Sequence, residues 1–288
     1  MDQVAVGAIE IAYAIASLAL ISAGLALVFG MMRVINLAHG EFVVLGGYAT
    51  IVATKAGLDI WFSMLVVAPL VVGLFGLVVE RLIIRWLYGR MVDTMLATWG
   101  LSLLMVGLIT TVFGNTVTGV TNPLGPVSIG QYQVGGYSLF IIGVAVVLMA
   151  VVYVLLRFTR VGLVARGAMQ SAEVVSALGY NPSRVYMATF AAGAAVAGLA
   201  GGVMAPLTGL LPTSGGQFIA KSFITVIAGG ASVIAGTTAG SVVFGTVSKV
   251  VEMLSTTVIG EIALLVVAVV LLRVLPTGIT GRFFRGAV

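Results

Sequence analysis

Long apolar segments, separated by short polar or basic connectors, run through the whole chain. Stretches of about 20 apolar residues are long enough to cross a hydrocarbon core of roughly 30 Å as helices, and they lack the alternation that marks a barrel strand. The pattern predicts spans at 6–29, 42–54, 61–79, 94–113, 139–156, 185–207, 218–228, 239–254 and 259–274. We therefore expect an all-α, polytopic membrane protein with about eight to nine transmembrane or partly re-entrant helices.

Two of these segments, 42–54 and 218–228, are shorter than a full crossing and adjoin glycine-rich stretches, which is typical of broken or re-entrant helices. The glycines of 229–245 are too dense for one straight helix, and a break is expected near Gly229 and Gly230. Small residues in 191–202 and in 229–245 favour close helix packing. An alternative interpretation, in which they expose backbone along a pathway or form a hinge, stays open.

Composition agrees with this class, since 60% of the residues are hydrophobic and 8% are charged. So little polar surface excludes a soluble globule. The net charge of +5 comes from basic residues placed singly between spans rather than on one face, so no nucleic-acid binding is expected. The absence of cysteine excludes a disulfide framework and a thiolate site.

The arginines indicate the orientation, because short loops rich in Arg or Lys stay in the cytoplasm. If the spans alternate, one side holds Arg33, Arg81, Arg85, Arg90, Arg157, Arg160, Arg166, Arg184, Arg273, Arg282 and Arg285. Lys55 and the nearly uncharged loop 114–138 fall on the other side. The amino terminus is predicted outside and the carboxyl terminus in the cytoplasm.

The stretch 30–41 gathers polar residues between two apolar segments, among them Asn36, the single histidine His39, and Glu41. A metal site is one interpretation, but two ligands at this spacing favour no geometry, and we expect no metal. Proton transfer between His39 and Glu41 is a second. The favoured one is that these side chains satisfy backbone groups where a helix unwinds and turns back, with Gly40 allowing the turn.

The sequence offers no signature of catalysis. It contains neither a G-x-S-x-G nucleophile elbow nor a G-x-x-x-x-G-K-[ST] loop, so we expect no enzyme, no cofactor and no ATP binding of the P-loop type. Energy for transport would then come from a partner or from an ion gradient.

A charged segment, 157–184, interrupts the apolar chain and is too polar to lie in lipid. We expect it to touch another protein at the membrane surface. The whole of 1–288 is interpreted as a single transmembrane permease domain, with 157–184 as a cytoplasmic coupling segment within it.

Three stretches in this order resemble the permease subunits of bacterial ABC importers of the branched-chain amino acid type: GLALVFGMMRVINLAHGEFVVLGGY, RFTRVGLVARGAMQSAEVVSALGYNPSRV, and GGASVIAG before a final apolar span. The resemblance covers nearly the whole chain. It implies a bacterial inner (plasma) membrane protein, surrounded by lipid, that works with two ATPase subunits, a second related permease subunit as a heterodimer, and an external substrate-binding protein. ERLIIRWLYGR followed by LATWGLSL looks closer to the urea and short-chain amide branch.

The resemblance also implies a coupling helix that docks on the ATPase. Glu173 and Gly179 match the two ends of the family pattern, while Val174 and Val175 replace its two alanines. Helical spacing predicts that Val174, Val175 and Leu178 share one docking face. Glu173 and Arg166 are expected as charges at its rim, and Gly179 as the end of the helix.

Small or polar residues within spans are the candidates for a substrate pathway. They are Asn36, His39, Glu41, Thr98, Trp99, Ser102, Lys221, Ser222 and Thr225. The scarcity of charge favours urea or a short-chain amide, with branched-chain amino acids as the alternative. A stand-alone channel or ion-coupled carrier is a further alternative, which would use Glu252 or Glu261. Lys249 and Glu252 are expected to form a structural ion pair.

Overall fold

The computed structural model describes residues 2–230 and 232–282, and almost all of them are helical. The helices are α1 (Asp2–Met32), α2 (His39–Lys55), α3 (Ile60–Leu82), α4 (Met91–Phe113), α5 (Gly136–Phe158), α6 (Arg160–Gln170), α7 (Ala172–Ala177), α8 (Pro182–Thr208), α9 (Gly215–Gly229), α10 (Val233–Leu254) and α11 (Thr257–Val274). Helix α3 includes one π-helical stretch, Ser63–Val67. Short 3-10 turns occupy Ile84–Leu87, Pro212–Ser214 and Thr280–Arg282.

Within the described residues, seven helices are long and apolar enough to cross a membrane: α1, α3, α4, α5, α8, α10 and α11. This confirms the prediction of a polytopic all-α membrane protein. Helices α2 and α9 contain 17 and 15 residues and correspond to the two short segments predicted from the sequence. Of the arginines used for the orientation, Arg285 lies outside the described residues.

The break predicted in the glycine-rich stretch 229–245 is present. Helix α9 ends at Gly229, and Gly230 adopts a φ of 98°, a left-handed conformation that glycine reaches without steric cost. The last carbonyl groups of α9 accept hydrogen bonds from residues near the carboxyl terminus. The Thr280 hydroxyl donates to the Gly229 carbonyl at 2.7 Å, and the Ile279 amide donates to the Ala228 carbonyl at 2.9 Å. The described carboxyl-terminal residues therefore cap this helix.

The connector 114–138 contains a hairpin that the sequence did not predict. Strands β1 (Pro126–Ile129) and β2 (Tyr132–Gly135) pair antiparallel, with Val127 opposite Val134. The chain reverses at Gly130, which has a φ of 59°. Four-residue strands are too short to show a clear alternation of apolar and polar residues. The turn-forming residues of this loop were therefore the only sequence signal for a hairpin.

The helices form two compact units. The first consists of Met1–Ser22, Asn122–Met149 and Lys221–Val288, as far as these are described, and in it α10 packs against α11. Lys249 pairs there with Glu252 at 3.5 Å, as predicted, and also with Glu10 at 3.0 Å.

The second unit consists of Ala23–Thr121 and Ala150–Ala220. Its centre is α2, which is buried along most of its length and packs against α3 and α8. The Phe42 ring meets Phe75 and Phe190 edge to face, with centroids 5.5 and 6.1 Å apart. A short helix wrapped by longer ones explains why 42–54 is apolar on all sides.

Close approach of α2 and α8 depends on small residues. A β-carbon on Gly201 would overlap the Val43 carbonyl oxygen, and one on Gly46 would lie 2.5 Å from the Gly198 α-carbon. These backbone contacts favour the packing interpretation of 191–202, since the helix surfaces meet without intervening side chains.

The Gly201→Ala substitution is therefore expected to destabilise the folded chain by about 1–3 kcal/mol or more, because α2 and α8 must separate to admit a methyl group. The matched control is Gly100→Ala in α4, where no atom lies within 4 Å of the added carbon. The control is expected to be neutral or slightly stabilising. The unfolding midpoints of both purified variants in detergent test this expectation, and equal midpoints would contradict the close-packing account.

Candidate functional site

Helix α2 begins inside the helical layer rather than at its surface. A β-carbon on Gly24 would lie 3.1 Å from His39 Cε1, so the start of α2 is level with Gly24 of α1. Gly24 precedes the end of α1 at Met32 by about 12 Å of helix. The linker 33–38 therefore returns into the layer before α2 starts, which is the arrangement of a broken membrane helix.

Side chains satisfy the unwound linker. Asn36 Oδ1 accepts from the Ala38 amide at 3.0 Å, and Thr98 Oγ1 of α4 accepts from the Leu37 amide at 3.0 Å. Asn36, Thr98 and His39 are all buried. Unpaired backbone groups at this depth would cost several kcal/mol each, so these bonds allow the break to exist. The structure thus brings together Asn36, His39 and Thr98, and the Asn36 bond fits the interpretation that polar side chains of the stretch 30–41 satisfy backbone groups at a helix break.

The first turns of α2 and α9 meet at this break. A β-carbon on Gly40 would overlap the Gly215 carbonyl oxygen, and one on Gly215 would lie 2.5 Å from Glu41 Oε1. We call this meeting point, formed by Gly40, Glu41 and Gly215, the N-terminal junction. Sequence reasoning did not select Gly215, because a glycine after a 3-10 turn carries no signal of what it faces.

Glu41 is the charged group of the N-terminal junction. Its side chain is 3% exposed and hydrogen-bonds to Ser102 of α4, while Oε2 has no hydrogen-bond partner among the described residues. Helix amino termini carry partial positive charge and favour an adjacent carboxylate. The junction therefore buries a carboxyl oxygen that has no hydrogen-bond partner among the described residues next to the first turns of two helices.

Trp99 follows Thr98 in α4 but points elsewhere. Its side chain is 55% exposed, whereas Thr98 is fully buried. Successive residues on a helix differ by about 100° in direction, so the structure does not bring Trp99 together with the N-terminal junction.

Lys221, Ser222 and Thr225 belong to the other compact unit, where each has a partner. Lys221 Nζ lies 2.7 Å from Glu261 Oε1. The Ser222 hydroxyl donates to the Ile21 carbonyl at 3.0 Å, and the Thr225 hydroxyl donates to the Lys221 carbonyl at 2.7 Å. Both hydroxyls are buried and stabilise the helices that carry them.

The segment 157–184 forms two helices, α6 and α7, separated by Ser171. The Ser171 hydroxyl accepts from the Val174 amide at 3.3 Å and so caps α7. Gly179 has a φ of 85° and follows directly after the turn that ends α7, as predicted.

The predicted docking face needs one correction. Val174 and Leu178 are 58% and 71% exposed, but Val175 is 4% exposed and lies against Gly167 of α6. Residues four apart point the same way on a helix, whereas Val175 is turned about 100° from Val174. Val175 thus holds α7 on α6, and the outward face consists of Val174, Leu178 and Glu173. We call these three residues the coupling face.

The two predicted rim charges differ in their surroundings. Glu173 is exposed in the first turn of α7, where the helix dipole favours a negative charge. Arg166 is half-buried, and its Nε donates to the Gly162 carbonyl of its own helix at 3.4 Å. Glu173 is therefore the rim charge that is free to meet a partner.

Comparison with known proteins identifies a family. The family model described as "Branched-chain amino acid transport system / permease component" matches residues 7–275. The permease protein LivH of Salmonella typhimurium is 26% identical over 92% of this chain and 91% of its own length, and its name describes high-affinity branched-chain amino acid transport. BraD of Pseudomonas aeruginosa is 27% identical over 92% and 91%, and a probable LivH of Methanocaldococcus jannaschii is 24% identical over 92% and 88%. No solved structure matches the chain.

Proposed function

Because the chain belongs to the branched-chain amino acid transport permease family, we propose that it forms a membrane pathway for leucine, isoleucine and valine in an ATP-driven importer. The family match over residues 7–275 is the observation that carries this proposal. The sequence has no P-loop motif, and in the proposed assembly separate ATPase subunits supply the energy.

We choose the solute from the names of the related proteins and not from the small number of charged residues within the spans. LivH and BraD are named for branched-chain amino acids, and none of the relatives reported above is named for urea or an amide. The N-terminal junction agrees with this choice, because Glu41 Oε2 is buried without a hydrogen-bond partner among the described residues and helix amino termini attract a carboxylate.

The pathway is proposed to include Asn36, His39, Glu41, Thr98 and Ser102 of the second unit. For Trp99, Lys221, Ser222 and Thr225 a pathway role stays a prediction from the sequence. Glu41 would receive the ammonium group. Asn36 and Thr98 would hold the broken helix open beside it.

ATP-driven motion is proposed to enter through the coupling face. Val174 and Leu178 present apolar surface next to the exposed Glu173, which is the composition of a small interface core with a charged rim. Val175, Gly179 and Arg166 would keep α7 in position. The proposed assembly contains two ATPases, a second related permease chain and an external binding protein in the bacterial inner membrane. In it, the amino terminus is outside and the segment 157–184 is cytoplasmic.

An ion-coupled carrier fits less well. Such a carrier needs carboxylates available to a coupling ion. Glu261 is paired with Lys221, and Glu252 contacts both Lys249 and the Thr257 hydroxyl. Both candidates are thus engaged within the first unit.

Uptake by the reconstituted assembly tests the choice of solute. We expect uptake of radiolabelled leucine to be competed by isoleucine and valine, and not by urea or acetamide. Competition by urea at concentrations where valine has no effect would contradict the proposal. The external binding protein is supplied in excess in every arm, so that differences arise from the solute.

A further inference from the structure

A cavity of about 390 Å³ lies within the second unit, next to the segment 157–184. Its wall comes from the end of α1, the corner before α4, and the facing ends of α6 and α8. The volume falls within the usual range for small-molecule sites. None of its lining residues belongs to the proposed pathway or to the coupling face.

About half of the lining surface is apolar, and this half is adaptable. Four methionines contribute to it: Met31, Met32, Met91 and Met169. Methionine side chains adjust to aliphatic ligands of different shapes because they are unbranched and flexible. Such a wall suits a branched aliphatic group.

Two tyrosines add aromatic surface. The rings of Tyr88 and Tyr186 meet edge to face with centroids 5.1 Å apart. The Tyr88 hydroxyl donates to the Glu80 carboxylate, and the Tyr186 hydroxyl donates to the Ala168 carbonyl at 3.1 Å. Burial and the bond to Glu80 raise the pKa of the Tyr88 phenol well above its usual value, so the ring remains neutral. Both hydroxyls are occupied, and the rings present carbon to the cavity.

Arg33 contributes a positive charge to the lining of the cavity. Among the described residues it is the one non-glycine residue with a positive φ, 53°, a conformation that costs about 1–2 kcal/mol. Its guanidinium is exposed and has no carboxylate within 4.0 Å in the described part of the chain, whereas Arg90 of the same cavity is paired with Asp93 at 3.5 Å. A strained backbone that places a guanidinium without a carboxylate partner among the described residues at a cavity of mixed lining points to an anionic ligand group.

Gln170 completes a site for an amino acid. It is exposed at the cavity, and its side-chain oxygen is an acceptor suited to an ammonium group. Gln170 directly precedes Ser171, the cap of α7. A ligand held by both Arg33 and Gln170 would tie the end of α1 to the start of the coupling helix.

We propose that this cavity binds an aliphatic α-amino acid from the cytoplasm, the product of import, and that binding slows ATP-driven transport. Arg33 holds the carboxylate, the methionines and tyrosine rings enclose the side chain, and Gln170 accepts from the ammonium group. Bound product opposes transport because it restrains α7 from moving relative to α1. This proposal rests on the proposed function and orientation.

The test uses proteoliposomes of the complete assembly with ATP entrapped inside. Only assemblies whose ATPases face the lumen can then work, so the lumen corresponds to the cytoplasm. Initial uptake of radiolabelled leucine from the loaded external binding protein is measured with unlabelled leucine or leucinamide also entrapped. Entrapped leucine is expected to lower the rate, and leucinamide, which lacks the carboxylate, is not.

The Arg33→Met variant is expected to need about tenfold or more entrapped leucine than the wild type for the same fractional inhibition. For each variant, inhibition is expressed relative to its own uptake rate in vesicles that contain ATP but no leucine. Arg273→Met, which removes an exposed arginine outside both the cavity and the segment 157–184, is the matched control and should show the same inhibition as the wild type. Gln170→Leu is a second variant, expected to weaken inhibition in the same direction if Arg33→Met is poorly produced.

The outcomes separate the two proposals. Wild-type uptake that is ATP-driven but indifferent to entrapped leucine would overturn the regulatory site alone, as would equal inhibition of wild type and both cavity variants. Inhibition that follows the fraction of anionic phospholipid, and not entrapped leucine, would assign the cavity to a lipid headgroup instead. If vesicles that contain ATP but no entrapped leucine show no ATP-driven uptake, the proposed function itself is overturned.

Discussion

Leu178→Glu is expected to lower ATP-driven leucine uptake by about tenfold or more. Leu178 is 71% exposed on the coupling face, so the substitution creates no cavity and leaves the packing of α7 unchanged. Seating a carboxylate in an apolar groove of an ATPase would cost several kcal/mol, because the charge loses its hydration. Uptake into proteoliposomes and ATPase binding to the purified permease measure the effect.

Leu178→Met is the matched control, since it keeps the apolar contact and nearly the same volume. It should retain most of the uptake. Glu173→Arg reverses the rim charge and is expected to weaken ATPase binding in the same direction. Full uptake by Leu178→Glu would rule out α7 as the docking helix.

Glu41→Gln is expected to reduce leucine uptake by about tenfold to a hundredfold while the chain remains folded. The amide has the shape of the carboxylate and can keep a hydrogen bond to Ser102, but it removes the negative charge at the N-terminal junction. A charged hydrogen bond to the substrate ammonium group is worth roughly 1.5–3 kcal/mol, and more where water is excluded. Uptake and the unfolding midpoint are measured on the same preparation.

Glu80→Gln provides the control for a buried carboxylate. Glu80 is 1% exposed, also has one oxygen without a partner among the described residues, and accepts from the Tyr88 hydroxyl outside the proposed pathway. Its uptake should stay close to that of the wild type. Equal losses in both variants would mean that Glu41, like Glu80, serves the fold rather than the solute.

The approximate number and positions of the long helices could be read from the sequence, because in lipid each span must be continuous and apolar, but several helix ends lie a few residues beyond the predicted limits. The two short segments and the break at Gly229 and Gly230 were also readable, since few residues other than glycine end a helix in this way. The hairpin in 114–138 was not, because its strands are too short to show a period.

The candidate site was only partly readable. Polar residues in an apolar stretch identified Asn36, His39 and Glu41, because burying them requires partners. Their meeting with Gly215 depends on how α2 and α9 pack, and the identity of a glycine does not encode that contact. The exposed position of Trp99 and the inward turn of Val175 likewise follow from packing against particular neighbours.

The cavity beside Arg33 had no sequence signal at all. Its residues come from four separate stretches, and each of them alone is an ordinary helix end or connector. Only the fold places the Arg33 guanidinium, the flexible methionines and Gln170 around one space.

The most direct measurement of the central claim is the dependence of uptake on ATP hydrolysed by separate subunits. Leucine uptake is measured in proteoliposomes with leucine-loaded binding protein outside. Three preparations are compared: the complete assembly with ATP, the complete assembly with ADP, and the permease chains with ATP but without the ATPase subunits. The account predicts that leucine accumulates only when the complete assembly is supplied with ATP, and that none accumulates when either ATP or the ATPases are omitted. Leucine uptake at the full rate by the permease chains without ATPase would contradict it.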